Sequence, residues 1–169
     1  MSKSLTVSEL PATLLPVADS TWSVSSLKQM QTYDGAALHA TVRRNGKIVG
    51  TFENEGTGGG TWFRPASAEA AEAWNAYVAA NTDLLTEDER YLAAESVCER
   101  LVDDYEIRRI LDRAVKRGVT PYLAPGEKPD METGTAMVKA PLPQAMTYLS
   151  RKYPEGGCRV WRDGAWTAI

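Results

Sequence analysis

The chain has 169 residues, 43% of them hydrophobic and 24% charged, enough for one ordinary domain with a buried core. With 19 basic against 22 acidic residues the formal charge is −3, which speaks against a dedicated nucleic-acid binder with a basic face and equally against a strong DNA mimic. No run reaches the ~20 apolar residues of a membrane helix, and the N-terminus lacks the basic-then-apolar pattern of a secretory leader, so a membrane-free, cytoplasmic protein is expected.

Residues 1–26 mix apolar and small polar residues with Pro11 and Pro16. Leu5, Val7, Leu10, Leu14, Leu15 and Val17 can dock on a body, so this stretch reads as an irregular arm, and residues 27–169 as a single α+β domain. Leu27–Thr32 is a candidate first strand. Ala36–Arg43 and Lys47–Glu53 are strand-like runs around Asn45-Gly46, a strong hairpin signal. A two-residue turn would pair Val42 with Val49 and split the apolar set between faces. A three-residue loop, Arg44-Asn45-Gly46, pairs Val42 with Ile48 and Leu38 with Phe52, so that Leu38, Ala40, Val42, Ile48 and Phe52 share one face. Because a one-residue slip exchanges faces, the three-residue loop is predicted.

Asn54-Glu55-Gly56-Thr57-Gly58-Gly59-Gly60 then leads into a short strand, Thr61–Arg64, ended by Pro65. Ser67 caps a helix from Ala68 to about Ala80, with Trp74, Tyr77 and Val78 inward. Thr86-Glu87-Asp88-Glu89 is a capping box opening a long helical region. Its apolar face is Ala94, Val97, Cys98, Leu101, Val102 and Tyr105, continued after room for a kink by Ile107, Ile110, Leu111, Ala114 and Val115, with Gly118 as the stop. Thr120–Leu123 reads as a strand, Ala124–Thr133 as a loop and Thr135–Lys139 as a strand. A helix follows to about Lys152 with Leu142, Ala145, Met146 and Leu149 inward. The chain closes in a hairpin around Asp163-Gly164, whose two-residue turn sets Trp161 opposite Trp166. Strands, then helices, then strands with one helix predict an α+β fold. The expected architecture is a small antiparallel sheet, made of the N-terminal hairpin plus the C-terminal hairpin, packed against three to four helices.

Chemistry-bearing residues are sparse. Cys98 and Cys158 sit in no ligand pair and read as buried thiols. His39 is the only histidine. It has no second histidine or Cys pair for a metal and no Gly-x-Ser-x-Gly elbow for a triad, so neither a catalytic residue, a metal nor a cofactor is assigned. The Gly-rich loop offers backbone amides to an anion. It is no Walker loop, because Gly60 is followed by Thr61-Trp62, and no dinucleotide fingerprint, because a strand rather than a helix follows. It reads either as a bulged connection or as a ligand site formed by Asn54, Gly56, Gly58, Gly59, Gly60 and Trp62. Glu95, Glu99, Asp103 and Glu106 recur at helical spacing and share one face, with Arg109, Arg113, Lys116 and Arg117 beyond them. The plain reading is a solvated surface matched to the helix dipole. The sharper one is a docking stripe for a partner.

Asn45-Gly46-Lys47, the Asn54, Gly56, Gly59-Gly60 loop and Leu101-Val102-Asp103-Asp104-Tyr105 together resemble a group of small proteins encoded by bacteriophages and prophages. In these a strand–Gly-Lys turn–strand leads to an Asn-x-Gly-x-Gly-Gly loop and a later Asp-Asp-Tyr helix. The resemblance spans roughly residues 27–166. Gly58 and the N-terminal arm depart from the pattern. No activity comes with the resemblance. It implies a phage accessory protein in the host cytoplasm with a host-directed role. Together with the lack of catalytic motifs and the Gly-rich loop beside Trp62, the expectation is a protein that binds rather than catalyses, inhibiting a bacterial defence system through a host protein or a nucleotide-type small molecule. Homo-oligomerisation is compatible with it. Two other classes stay open: a small hydrolase acting on a nucleotide through His39, Glu53 or Glu55, and a structural, virion-associated module.

Overall fold

The computed structural model describes residues 7–129 and 134–169. Leu5 and the end of the loop expected at Ala124–Thr133 lie outside them. The fold is α+β, with antiparallel sheets and four α-helices among the described residues. Contacts divide it into two compact units. One comprises residues 7–10 and 15–105, the other Pro11–Leu14 and Glu106–Ile169.

The first unit is built on a meander, β3 (Trp22–Gln31), β4 (Ala36–Arg44), β5 (Lys47–Glu55) and β6 (Trp62–Pro65), in spatial order β3-β4-β5-β6. A small pair, β1 (Ser8–Glu9) and β2 (Pro16–Val17), precedes it. Strand β3 starts at Trp22, ahead of the expected Leu27. Trp22 and Val24 pair with Arg44 and Val42 and are both buried, and a bulge between Val24 and Ser26 then breaks the alternation. The extra residue makes Ser25 and Ser26 both exposed, which hides the strand from a period-two reading.

The expected hairpin register is corrected in the same way. Arg44 faces Lys47 across a two-residue turn in which Asn45 and Gly46 have φ of 50° and 76°, the geometry that suits the right-handed twist of the strands. A bulge beyond Arg43 then shifts the ladder, so that Val42 faces Gly50 and Ala40 faces Phe52. The turn therefore keeps its preferred length and the bulge restores the apolar face. Ala40, Val42 and Phe52 are fully buried, whereas Ile48, on the turn side of the bulge, is exposed.

One face of this sheet is covered. Helix α1 (Ala68–Asn81) is capped by Ser67, whose Oγ accepts from the Ala70 amide at 3.1 Å. It brings Trp74 and Tyr77 against the sheet, with ring centroids 5.3 Å from Trp22 in both cases and 5.3 Å between Trp74 and Phe52. Each such aromatic pair adds about 0.5–1.5 kcal/mol beyond its buried area. Buried Asn81 accepts from the Ala18 amide at 3.0 Å and donates to the Tyr77 carbonyl at 2.7 Å, tying the N-terminal stretch to the helix.

After a 3₁₀ turn at Thr82–Leu84, the Thr86 capping box opens only α2 (Glu87–Arg90) rather than the long helix expected from it. Tyr91 and Leu92 intervene, both exposed, before α3 (Ala93–Lys116) begins. Helix α3 runs unbroken to Lys116. Val97, Cys98, Leu101 and Val102 complete the first unit's core, while Ile107 and Leu111 belong to the second's. Ala94, Ile110 and Val115, expected inward, are exposed.

The second unit holds β7 (Thr120–Leu123), β8 (Met137–Val138), α4 (Leu142–Lys152), β9 (Arg159–Arg162) and β10 (Ala165–Ala168), with strand order β10-β9-β7-β8. The two hairpins expected in one sheet thus belong to separate sheets. The C-terminal hairpin has the expected register, Trp166 facing Trp161 with rings 5.4 Å apart. Both indoles are anchored, Trp161 Nε1 donating to Asp112 at 2.7 Å and Trp166 Nε1 to the Ala12 carbonyl at 2.9 Å. In α4, Ala145 and Leu149 are buried but Met146 is exposed.

Candidate functional site

The Gly-rich connection between β5 and β6 divides into residues that build the loop and residues that it offers. Asn54 is a builder. Its Nδ2 donates to the Gly59 carbonyl at 3.0 Å, and its Oδ1 accepts from the Gly56 amide at 2.8 Å, so one side chain closes the loop from inside. Gly56 is also a builder. Its φ is +71°, and a Cβ there would lie 2.6 Å from the Ala37 nitrogen and 2.7 Å from Thr32 Cγ2. The Thr32 hydroxyl donates to the Gly56 carbonyl, which clamps the loop to the β3–β4 turn. Gly58 and Gly59 are the offered part, with nothing within 4 Å of where a Cβ would stand.

Gly60 is where the two sequence-derived candidates meet. A Cβ at Gly60 would fall 2.4 Å from Glu95 Oε2, and the Thr61 amide donates to Glu95 Oε1 at 3.3 Å. The first residue of the acidic stripe therefore rests on the glycine loop. Sequence spacing could not show this contact. A carboxylate in this position already takes one loop amide and repels an incoming phosphate, so Gly60–Thr61 is poorly disposed to an anion.

Along α3 the stripe is crowded. Glu99 is exposed, but partial desolvation and then the charges of Glu95, Asp103 and Glu89 hold its carboxyl above its ordinary range. Among the described residues no cation pairs with Glu99. Asp103 is half-buried one turn further on, and Glu106 falls in the second unit. Glu89, which helical spacing does not connect with the stripe, has the opposite environment. Arg100 binds it through Nε at 3.0 Å and Nη2 at 2.8 Å, and this pairing above all lowers its carboxyl to about 2. Arg100 is itself buried and also donates to the carbonyls of Pro16 and Leu84, each at 3.2 Å.

On the other face of the meander Lys28, Met30, His39, Trp62 and Arg64 are exposed, which makes it the open face among the described residues. Register places Lys28, His39, Glu53 and Trp62 in one row across its four strands, with Ser26, Thr41, Thr51 and Arg64 in the next. His39 Nε2 is 4.0 Å from Glu53 Oε1, and Glu53 is already engaged by Arg64 Nε at 3.0 Å and the Thr51 hydroxyl at 2.9 Å. This is a surface ion-pair row rather than a pocketed acid–base pair. Glu55 is exposed beyond it. Trp62 thus lies on the open face, while Asn54 and Glu95 lie on the covered side of the same loop.

Cys98 and Cys158 are buried and free. Burial pushes both thiols up, so neither is a poised nucleophile. Among the described residues no three His, Cys, Asp or Glu side chains group as a metal site needs, and no helix is long and apolar enough to cross a membrane. Neither a protein-family model, nor a characterised protein, nor a solved structure matches the chain.

Proposed function

We propose that this protein acts by binding rather than catalysis, as a phage-type accessory protein that inhibits a bacterial defence component. The acidic face of α3, buttressed by the glycine loop, receives a basic segment of that partner. The observation that carries the reading is Glu99. Its carboxyl is raised first by desolvation and then by the charges of Glu95, Asp103 and Glu89, and no cation among the described residues pairs with it, so the free protein holds a charge conflict that a Lys- or Arg-bearing partner would relieve. Partner discrimination gained this way is set against some stability of the free chain. The resemblance to phage and prophage proteins supplies the defence context, and Glu95 against the loop favours a protein partner over a nucleotide at Gly60.

The test is native mass spectrometry of the chain purified at low salt from a bacterial host, alongside an E95K/E99K variant. The expected result is a protein partner retained by the wild type and lost by the variant. A nucleotide-sized mass retained by the chain alone would overturn the reading in favour of small-molecule sequestration.

A further inference from the structure

The rim where the β3–β4 turn meets the glycine loop carries large side chains that serve no core. Tyr33, in that turn, is fully exposed, Met30 is 67% exposed and Trp62 is 40% exposed. Met30 pairs with Ala37, which pairs with Glu55, and Trp62 pairs with Glu53 two residues along, so Met30 and Trp62 share the open face at one end of the sheet. A strand spacing of about 4.8 Å separates them by roughly 15 Å over three strand gaps. The Thr32–Gly56 hydrogen bond and the close approach of Gly56 to Ala37 hold the turn and the loop together as one rim.

Exposed Tyr, Trp and Met beside a Gly-rich loop is the composition of protein-recognition surfaces. Rigid aromatics supply area at low entropic cost, and the glycine backbone adapts. The charge around the anchors leans acidic. Asp34 and Glu55 are exposed on the rim, and Glu95 lies against the loop behind it. Of the three cations on this face, Arg64 is held by Glu53 and Arg43 lies at the far, Asn45-Gly46 end of the sheet, donating to the Gly46 carbonyl, which leaves Lys28. Like charge opposes a nucleic acid here.

We infer that Tyr33, Met30 and Trp62 are the anchors by which a basic segment of a partner protein docks on this rim, with Asp34 and Glu55 selecting its charge. The inference rests on the binding reading above and extends it from the helix to the open face of the sheet.

The test pans a random phage-displayed peptide library against the full chain. Enriched peptides carry Lys or Arg beside an apolar residue. They bind Y33A and W62A about tenfold more weakly, as loss of a hot-spot aromatic implies, while Y91A, which removes an exposed tyrosine elsewhere in the first unit, binds like wild type. Tyr33 touches no core, so Y33A retains the fold, and thermal unfolding checks W62A. Peptides that bind Y33A and W62A at full strength, peptides without basic residues, or no enrichment at all each overturn the inference. Loss on E95Q/E99Q with retention on Y33A and W62A ends this inference and keeps the helix reading. Retention on all four ends both. Concentration-dependent dimerisation abolished by Y33A would assign the rim to a second copy of the chain and overturn it as well.

Discussion

Glu89 and Glu99 stand in the same unit, near enough that one charge raises the other's carboxyl, yet they are treated in opposite ways. Glu89 has a bidentate guanidinium, a capping-box role and a fixed charge. Glu99 is exposed, partly desolvated and beside three acidic neighbours. The first arrangement organises the corner where residues before β3, the 3₁₀ turn, α2 and α3 converge on Arg100. The second contributes nothing to that corner and works against the helix that bears it. Charge is balanced by a paired cation at one place and left unbalanced at the other, and the proposed docking face rests on that difference.

The largest effect that sharpens the contrast comes from Arg100. Arg100→Ala strands the Glu89 charge and the carbonyls of Pro16 and Leu84, and urea unfolding should show a loss of about 3 kcal/mol. That is the low end for breaking a buried pair, because Glu89 keeps 30% of its side chain in solvent. The pH dependence follows from the same pair. A carboxyl lowered to about 2 in the folded state contributes stability that is full above its ordinary value of 4.5 and is lost as pH falls from there towards 2. In Arg100→Ala this acid-side slope flattens. A wild type with no slope in that window would break the account of the corner.

Glycine positions give the next effect. Gly58→Ala places a Cβ on a residue with φ of +82° and should cost about 1 kcal/mol, whereas Gly59→Ala meets nothing and is near neutral. Gly60→Ala displaces the Glu95 carboxylate. Because that group ends a flexible side chain, the cost stays about 1 kcal/mol or less, and the better readout is faster hydrogen exchange at the Thr61 amide. Introduced together with Glu95→Ala, the Gly60→Ala substitution should lose its effect on stability, since the group it displaces is gone. A Gly60→Ala variant with unchanged Thr61 exchange would separate the loop from the helix. Smallest of all, Glu99→Gln should stabilise the chain by about 0.2–0.5 kcal/mol, the size of a like-charge relief on a helix, while Glu89→Gln destabilises it.

Much of this fold is legible in the sequence. The Ser67 cap, the Asp163-Gly164 turn with its Trp161–Trp166 pair and the alternation of Ala40, Val42 and Phe52 all follow from local rules. Bulges are where those rules fail. One extra residue near Ser25 and one at Val49 each reverse the side-chain parity part-way along a strand, so a pattern read across them gives the wrong start for β3 and the wrong partners for β4. The division of two hairpins between two sheets is likewise set by tertiary packing, for which neither hairpin carries a local signal. At the candidate site the loop and the stripe are both visible as composition. Their contact through Glu95 and Gly60, the clamp by Thr32 and the crowding of Glu99 by Glu89 join residues distant in sequence. Asn54 and Gly56, read as ligand candidates, are used to build the loop.

The measurement closest to the central claim is a carbon-detected NMR titration of the glutamate carboxyls in the full chain. The account predicts that Glu99 titrates above the ordinary value of 4.5 and Glu89 far below it, with Glu99 moving back towards the ordinary value in Glu95→Gln. A Glu99 that titrates at or below the ordinary value would mean that its charge is already compensated, and the acidic face would lose its claim to be a binding surface.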